Sequence, residues 1–346
     1  MIEQLEVSGS HYEVGHAIGR RFGPHIHALF DHYGFLQERL LPFHRSPAGQ
    51  ELFRAFLQLH RAHFGGYVAE LEGLAAGAER PFEEFLLVNL RGEYRGLLAL
   101  QGQADSCTDC LALTPDVALI GHNEDGAPAA LGRMYLVHVQ TEGSPGFTAL
   151  CYPGFLPGNA CGYNRAGVMH TVDAVSPRAV RVGLGRHFIA RSLLDAVSLD
   201  DAIRRATLPG RGAGFTYNVG SLTERRIVSV EMAPGRHHVH EVRGCYVHTN
   251  HYLRLAEIDQ SIGASSQARL ARAQTLCDAT PVWGAPHVLS VLGDETDPQY
   301  PIFRRAVPPD DSATLGSALY DLDARELRLY TAHPVREPER GVVLAL

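Results

Sequence analysis

The chain contains no lysine: all 31 of its basic residues are arginine. That absence excludes a P-loop lysine on nucleotide phosphates, a lysine Schiff base and a serine–lysine catalytic pair. Cysteine is scarce, with six in 346 residues. These are too few for a disulfide scaffold, and most are expected to stay reduced in the cytoplasm. Long apolar runs are missing too. The longest uncharged stretch, residues 143–164, holds Pro145, Pro153, Pro157 and five glycines, a density that a membrane-spanning helix does not tolerate. The opening MIEQLEVSGS lacks the basic start and apolar run of a secretory signal, so the expected location is the cytoplasm. The sequence shows no internal repeat, low-complexity tract, charge run or domain-separating linker.

What is present is the balance of an ordinary globular protein, 45% hydrophobic and 20% charged. The length admits one large domain or two. A formal charge of −7 argues against nucleic acid or an anionic membrane as the main partner. Apolar spacing of three and four residues, as in Leu52, Phe56, Leu59 and Phe64, predicts helices near 11–40, 49–77 and 82–100. From Cys107 onward the texture changes to short β-branched runs, with strands expected at 117–121, 134–140, 147–151 and 168–174. Helices are expected at 186–197 and 200–207, the latter opened by Ser198 as N-cap. Strands follow at 215–221, 227–232, 238–242 and 246–249, then helices at 265–279 and 285–292, and a hairpin of 314–322 with 327–331. Helices segregated around antiparallel sheet give an α+β class, built in layers.

The switch from helix to strand falls at Ala104-Asp105-Ser106-Cys107-Thr108-Asp109-Cys110. Taken alone, Cys107 is a buried strand thiol, half of a Cys-x-x-Cys redox or zinc motif, or a nucleophile. Three further segments bear on the choice: Gly121-His122-Asn123-Glu124-Asp125, the Gly162–Val168 turn around Asn164, and His248-Thr249-Asn250-His251. In this order and spacing, especially from Cys107 to Asp125, the set resembles the acyl-CoA:6-aminopenicillanic acid acyltransferase family of N-terminal-nucleophile hydrolases, also classed as C45 peptidases.

The resemblance implies a four-layer αββα sandwich with a helical N-terminal third. It also implies a precursor that cuts itself before the cysteine, giving segments 1–106 and 107–346 that stay packed as one domain. Cys107 is then the nucleophile. The chemistry is coherent, because an α-amino group of pKa about 7.7–8.0 on the same residue supplies the base that a thiol of pKa about 8.5 needs. The family pattern further implies Asn250 as oxyanion donor, Asn164 as a second such donor, Asp125 as a carboxylate at the nucleophile's amino group, and Arg305 or Arg304 as the site guanidinium. Asn123, on the alternation face of Asp125, is a weaker candidate. On residue type alone, Asn250, Asp125 and Asn164 are also ordinary turn residues.

Two departures from the penicillin-type pattern stand out: Ser106 replaces a glycine before the cysteine, and Asp310 and Asp311 stand where an arginine is expected. Without cleavage, Cys107 needs a histidine partner, and His122, His248 and His251 are the candidates. The expected reaction is cleavage of a small N-acyl amide through a Cys107 thioester, with no cofactor and no metal. The substrate partner is thus a small amide or acyl donor, and a homo-oligomer is possible. Phe147, Tyr152, Phe155 and Tyr163 are expected to wall the acyl pocket. The alternatives are acyl-CoA-dependent N-acyl transfer, and, from another class, a metal-binding or redox protein built on Cys107-x-x-Cys110 with His237, His238 and His240.

Overall fold

The computed structural model describes residues 2–99, 106–279, 283–308 and 312–346. Asp105, Asp310 and Asp311 lie outside them. Two sheets face one another. The larger has eight strands in the order β1-β4-β5-β6-β7-β8-β9-β10: Glu3–Gly9, Tyr135–Thr141, Phe147–Cys151, Cys161–Asn164, Val168–Asp173, Phe215–Ser221, Arg226–Ala233 and Arg236–Glu241. The smaller has six in the order β11-β2-β3-β12-β13-β14: Gly244–His248, Ser106–Leu113, Ala118–Gly126, Ala313–Asp321, Glu326–Tyr330 and Gly341–Ala345. All neighbours are antiparallel except β1 beside β4.

The outer face of the large sheet is covered by α1 (His11–His32) and α3 (Pro47–Gly77), joined by the short α2 (Leu41–His44). With them lie α4 (Phe82–Asn89), α5 (Arg91–Leu97), α6 (Arg186–Leu193) and α7 (Leu199–Ala206). Helices α8 (Ala264–Asp278) and α9 (Ala285–Leu292) cover the small sheet on β2, β3, β11 and β12. The result is the expected α+β, four-layer αββα sandwich. Among the described residues, no helix is long and apolar enough to cross a membrane.

Local chemistry explains the helical layer. Ser10 caps α1 through a capping box with Glu13, Ser46 caps α3 ahead of Pro47, and Ser198 caps α7 as expected. Helices α1 and α3 cross at contact distance because glycines line the crossing. A Cβ on Gly15 would sit 1.9 Å from the Glu70 carbonyl oxygen, and one on Gly73 would sit 2.1 Å from that of Tyr12. Phe22 of α1 then stacks on Tyr135 of β4 with centroids 3.7 Å apart, joining the helical third to the sheet.

Several boundaries differ from expectation. The N-terminal third opens with a strand, β1, whose period-two burial was hidden by the helical pattern behind it. The 11–40 helix divides into α1 and a π turn at Phe35–Leu40, and the 82–100 helix breaks into α4 and α5 at Leu90. The expected 186–197 helix stops at Leu193. Strand β14 was not anticipated.

Candidate active site

Strands β2 and β3 lie inside the small sheet, with Cys107 opposite Glu124 and Ser106 opposite Asp125. Opposed residues share a face and successive ones alternate. Cys107, Asp109, His122 and Glu124 therefore look toward the large sheet, where Thr171 of β7 donates to Asp109. Ser106, Thr108, Asn123 and Asp125 look toward the α8–α9 layer, where Asn123 donates to the Leu292 carbonyl at 2.7 Å.

Around Cys107 the backbone is held by two side chains. Its N–H donates to Asn250 Oδ1 at 3.0 Å, and its carbonyl accepts from Arg269 Nη1 of α8. Arg269 also donates to Thr108 Oγ1 at 2.7 Å and to Asn250 Oδ1 at 2.6 Å. Asn250, just past β11, is fixed through its own N–H, which donates to Ser266 Oγ at 2.9 Å. Its Nδ2 is buried and makes no hydrogen bond among the described residues. The loop beyond it is tied down by Glu231, whose carboxylate accepts the N–H groups of Leu253, Arg254 and Leu255.

The Cys107 thiol is 2% exposed. Burial, reinforced by the negative charges of Glu124, Asp173 and Asp125, pushes its pKa well above the ordinary thiol value. The thiol meets Glu124 Oε1 at 3.9 Å, a weak contact. Glu124 in turn accepts from Tyr152 Oη at 2.6 Å and contacts His122 Nε2 at 3.0 Å. The other ring nitrogen, Nδ1, meets Asp109 Oδ2 at 2.8 Å. Burial opposes charge on this imidazole, yet the two carboxylates raise its pKa well above the usual value. His248 is likewise set between Asp173 at 2.9 Å and Glu231 at 3.3 Å. His251 is bonded to Ser266 Oγ at 2.8 Å. None of the three histidines is hydrogen-bonded to the thiol; as an internal residue Cys107 is a protonated thiol without an imidazole base.

Asp125 sits on the amide side of the cysteine. Its Oδ1 accepts from Thr314 Oγ1 at 2.7 Å, and Oδ2 is buried without a hydrogen-bond partner among the described residues. Burial raises its pKa to about 6, against the pull of Arg304, Arg269 and Thr314. Arg304 is the arginine turned inward. It is 3% exposed, and its N–H donates to Thr314 Oγ1 at 2.9 Å. Arg305 points outward into an ion pair with Glu295, so of the two expected alternatives the cluster takes Arg304.

Asn164 is also away from this cluster. Its amide nitrogen donates to the Leu194 and Ala196 carbonyls and its oxygen accepts from the Ala166 and Val168 N–H groups. Both N–H donors are thereby used in holding the β6–β7 turn, and none remains for an oxyanion. Asn123 is similarly occupied, by Leu292, Ile302 and Ser317.

A cleft of about 760 Å³ reaches Ser106, Asn250 and Arg269. Its described lining carries five arginines, Arg91, Arg95, Arg178, Arg186 and Arg269, and no acidic side chain. The expected aromatic wall is elsewhere. Tyr152 and Phe155 are buried behind the site, with Phe155 under the Arg91 guanidinium, while Phe147 and Tyr163 line a separate groove. The Cys-x-x-Cys pair is divided by strand alternation: Cys107 faces the large sheet, whereas Cys110 lies with Cys245 and Cys277. His237 and His238 are exposed on β10 and His240 half-buried, and none belongs to a potential metal-binding group among the described residues.

Sequence reasoning missed Arg269, Glu124 and Thr314 as members of the site. Glu124 stood inside the quoted Gly121–Asp125 segment, and counting the register back from Cys107 would have found it. For Arg269, one of two arginines on α8, the sequence carried no signal.

A family model described as acyl-coenzyme A:6-aminopenicillanic acid acyl-transferase matches residues 112–336. The beta-alanyl-dopamine/carcinine hydrolase of Drosophila melanogaster is 30% identical over 359 residues, covering 95% of this chain and 92% of that protein. The 40 kDa form of acyl-coenzyme A:6-aminopenicillanic-acid-acyltransferase from Emericella nidulans is 28% identical over 207 residues, covering 59% of this chain and 57% of that protein. Penicillin V acylase from Agrobacterium tumefaciens aligns structurally with a TM-score of 0.43 and 14% identity, over 65% of this chain and 83% of that chain.

Proposed function

The chain belongs to the acyl-coenzyme A:6-aminopenicillanic acid acyl-transferase family, an enzyme of acyl-amide hydrolysis or acyl transfer, and we propose that it matures by self-cleavage at Ser106–Cys107 into a cysteine amidohydrolase. One observation carries this reading. The Cys107 amide nitrogen is held by Asn250 Oδ1 while the Asp125 carboxyl lies opposite Ser106, so the machinery converges on a peptide bond rather than on a thiol–imidazole pair.

In maturation, Cys107 Sγ attacks the Ser106 carbonyl carbon, with Glu124 the acceptor nearest to the thiol proton. The C–N bond breaks, that proton ends on the new Cys107 amine, and water hydrolyses the Ser106 thioester to a carboxylate and a free thiol. Ser106 lines the cleft and Cys107 does not, so cleavage uncovers the nucleophile. In turnover the α-amine takes the thiol proton and Sγ attacks the substrate carbonyl. Asn250 Nδ2, kept dry and unspent, donates to the oxyanion. The proton passes to the departing amine, and water releases the acid from the thioester. Asp125, with Arg304 beside it, orients the amine.

Hydrolysis is preferred to transfer because the relative that matches nearly the whole chain is by name a hydrolase. The test is the intact mass, under denaturing conditions, of the wild-type protein beside Cys107→Ala. Fragments of about 12 and 26 kDa, by scaling mass with length, are expected from the wild type, and an uncut 37.8 kDa chain from the variant. An uncut wild type would overturn the proposal.

A further inference from the structure

Away from the catalytic face, three thiols from three distant parts of the chain meet. Cys110 of β2 is paired in register with Val247, and Cys245 of β11 with Ala112, which places the two cysteines diagonally on one face of the sheet. Cys277, in the last turn of α8, comes down on them. The three sulfur positions lie within 4.8 Å of one another and all three thiols are free. Cys110 and Cys277 are buried, whereas Cys245 is partly exposed and opens the cluster to solvent. Its surroundings include Ala112, Val247, Ala273 and Val288, so the cluster holds soft sulfur donors in an apolar setting.

We propose that Cys110, Cys245 and Cys277 form a binding site for a thiophilic d10 cation of the zinc class, held by three thiolates with its remaining position toward the exposed edge at Cys245. Metal–sulfur bonds of about 2.3 Å set sulfurs about 3.8–4.0 Å apart, so the present spacing closes on an ion with sub-ångström shifts. Thiolates are the donors that such ions select. Binding displaces the protons of all three thiols, so it is coupled to proton release. The site also bears on catalysis. Cys277 and Arg269 ride on the same helix, eight residues and about 12 Å apart, so the bound ion ties α8, and with it the guanidinium on Asn250, to β2 and β11.

Full-length, reduced protein is titrated with Zn2+ alone under anaerobic conditions, followed by metal content after desalting and by thiol alkylation mapped by mass spectrometry. One zinc per chain is expected, with Cys110, Cys245 and Cys277 protected from alkylation and an unfolding midpoint that rises with zinc. Cys245→Ser, a gentle change at a partly exposed position, should weaken binding at least 100-fold, while Cys107→Ala should leave it intact. Several results would overturn the site: no stoichiometric zinc, protection confined to Cys107, or a disulfide between two of the three thiols in freshly isolated protein.

Discussion

Replacing Asn250 by aspartate separates its two jobs. Oδ1 accepts from the Cys107 N–H at 3.0 Å and from Arg269 at 2.6 Å, and a carboxylate keeps both bonds. Its Nδ2, buried without a partner among the described residues, is the donor offered to the oxyanion, and aspartate deletes it. Loss of one such donor costs about 2.7–4 kcal/mol of transition-state stabilisation, about 10²- to 10³-fold in kcat. Repulsion between the carboxylate and the oxyanion adds to this, so the figure is a floor. Because ground-state binding does not use the oxyanion donor, KM should move far less than kcat. The assay is steady-state hydrolysis of an N-acyl amide by processed enzyme, with circular dichroism and an unfolding curve to show that the fold is kept. A correctly folded Asn250→Asp protein within threefold of wild-type kcat would refute the oxyanion role.

Self-cleavage should accelerate as pH rises through about 6, because an ionised Asp125, opposite Ser106, stabilises the ammonium that forms at Cys107 as the C–N bond breaks, and burial raises its pKa to that value; in Asp125→Asn that limb should vanish, as read from fragment yield against time between pH 5 and 8. Removing the imidazole in His122→Ala leaves Asp109 and Glu124 buried together without their shared cation, so chemical denaturation should show a loss of about 3–5 kcal/mol. Sign matters here: the raised pKa of His122 makes its contribution full below the unfolded value near 6.5 and lost only as pH climbs through the raised one, so wild-type stability should decline at alkaline pH and His122→Ala should decline less, keeping only the part due to His248 between Asp173 and Glu231.

Cys107, Asp125 and Asn250 stood out as candidates in the sequence because each sits in a short segment whose order and spacing survive without coordinates. The register of β2 on β3 then sets Cys107 opposite Glu124 and Asp125 opposite Ser106, so the two candidates flank the same backbone from opposite faces of the sheet. Asn164 was misread for a physical reason. A Gly-x-Asn-x-x-Gly turn looks the same in sequence whether the amide is spare or spent, and only the Leu194 and Ala196 carbonyls, just past α6, show that both its N–H groups are used. Arg304 and Arg305 differ by one step of backbone direction, which is decided where Thr314 bonds the chain of Arg304.

By itself, the sequence determined the layered α+β class, the strand that begins at the cysteine and the exclusion of lysine chemistry, since periodicity, turn residues and composition are local properties. Tertiary structure alone decided that Arg269 reaches across from α8 to Cys107 and Asn250, that His122 is consumed by two carboxylates, and that Cys110 leaves its Cys-x-x-Cys neighbour for Cys245 and Cys277. Those outcomes depend on which faces pack together, and neither the packing of α8 on β2 and β11 nor the meeting of the two sheets is encoded in any single stretch of the chain.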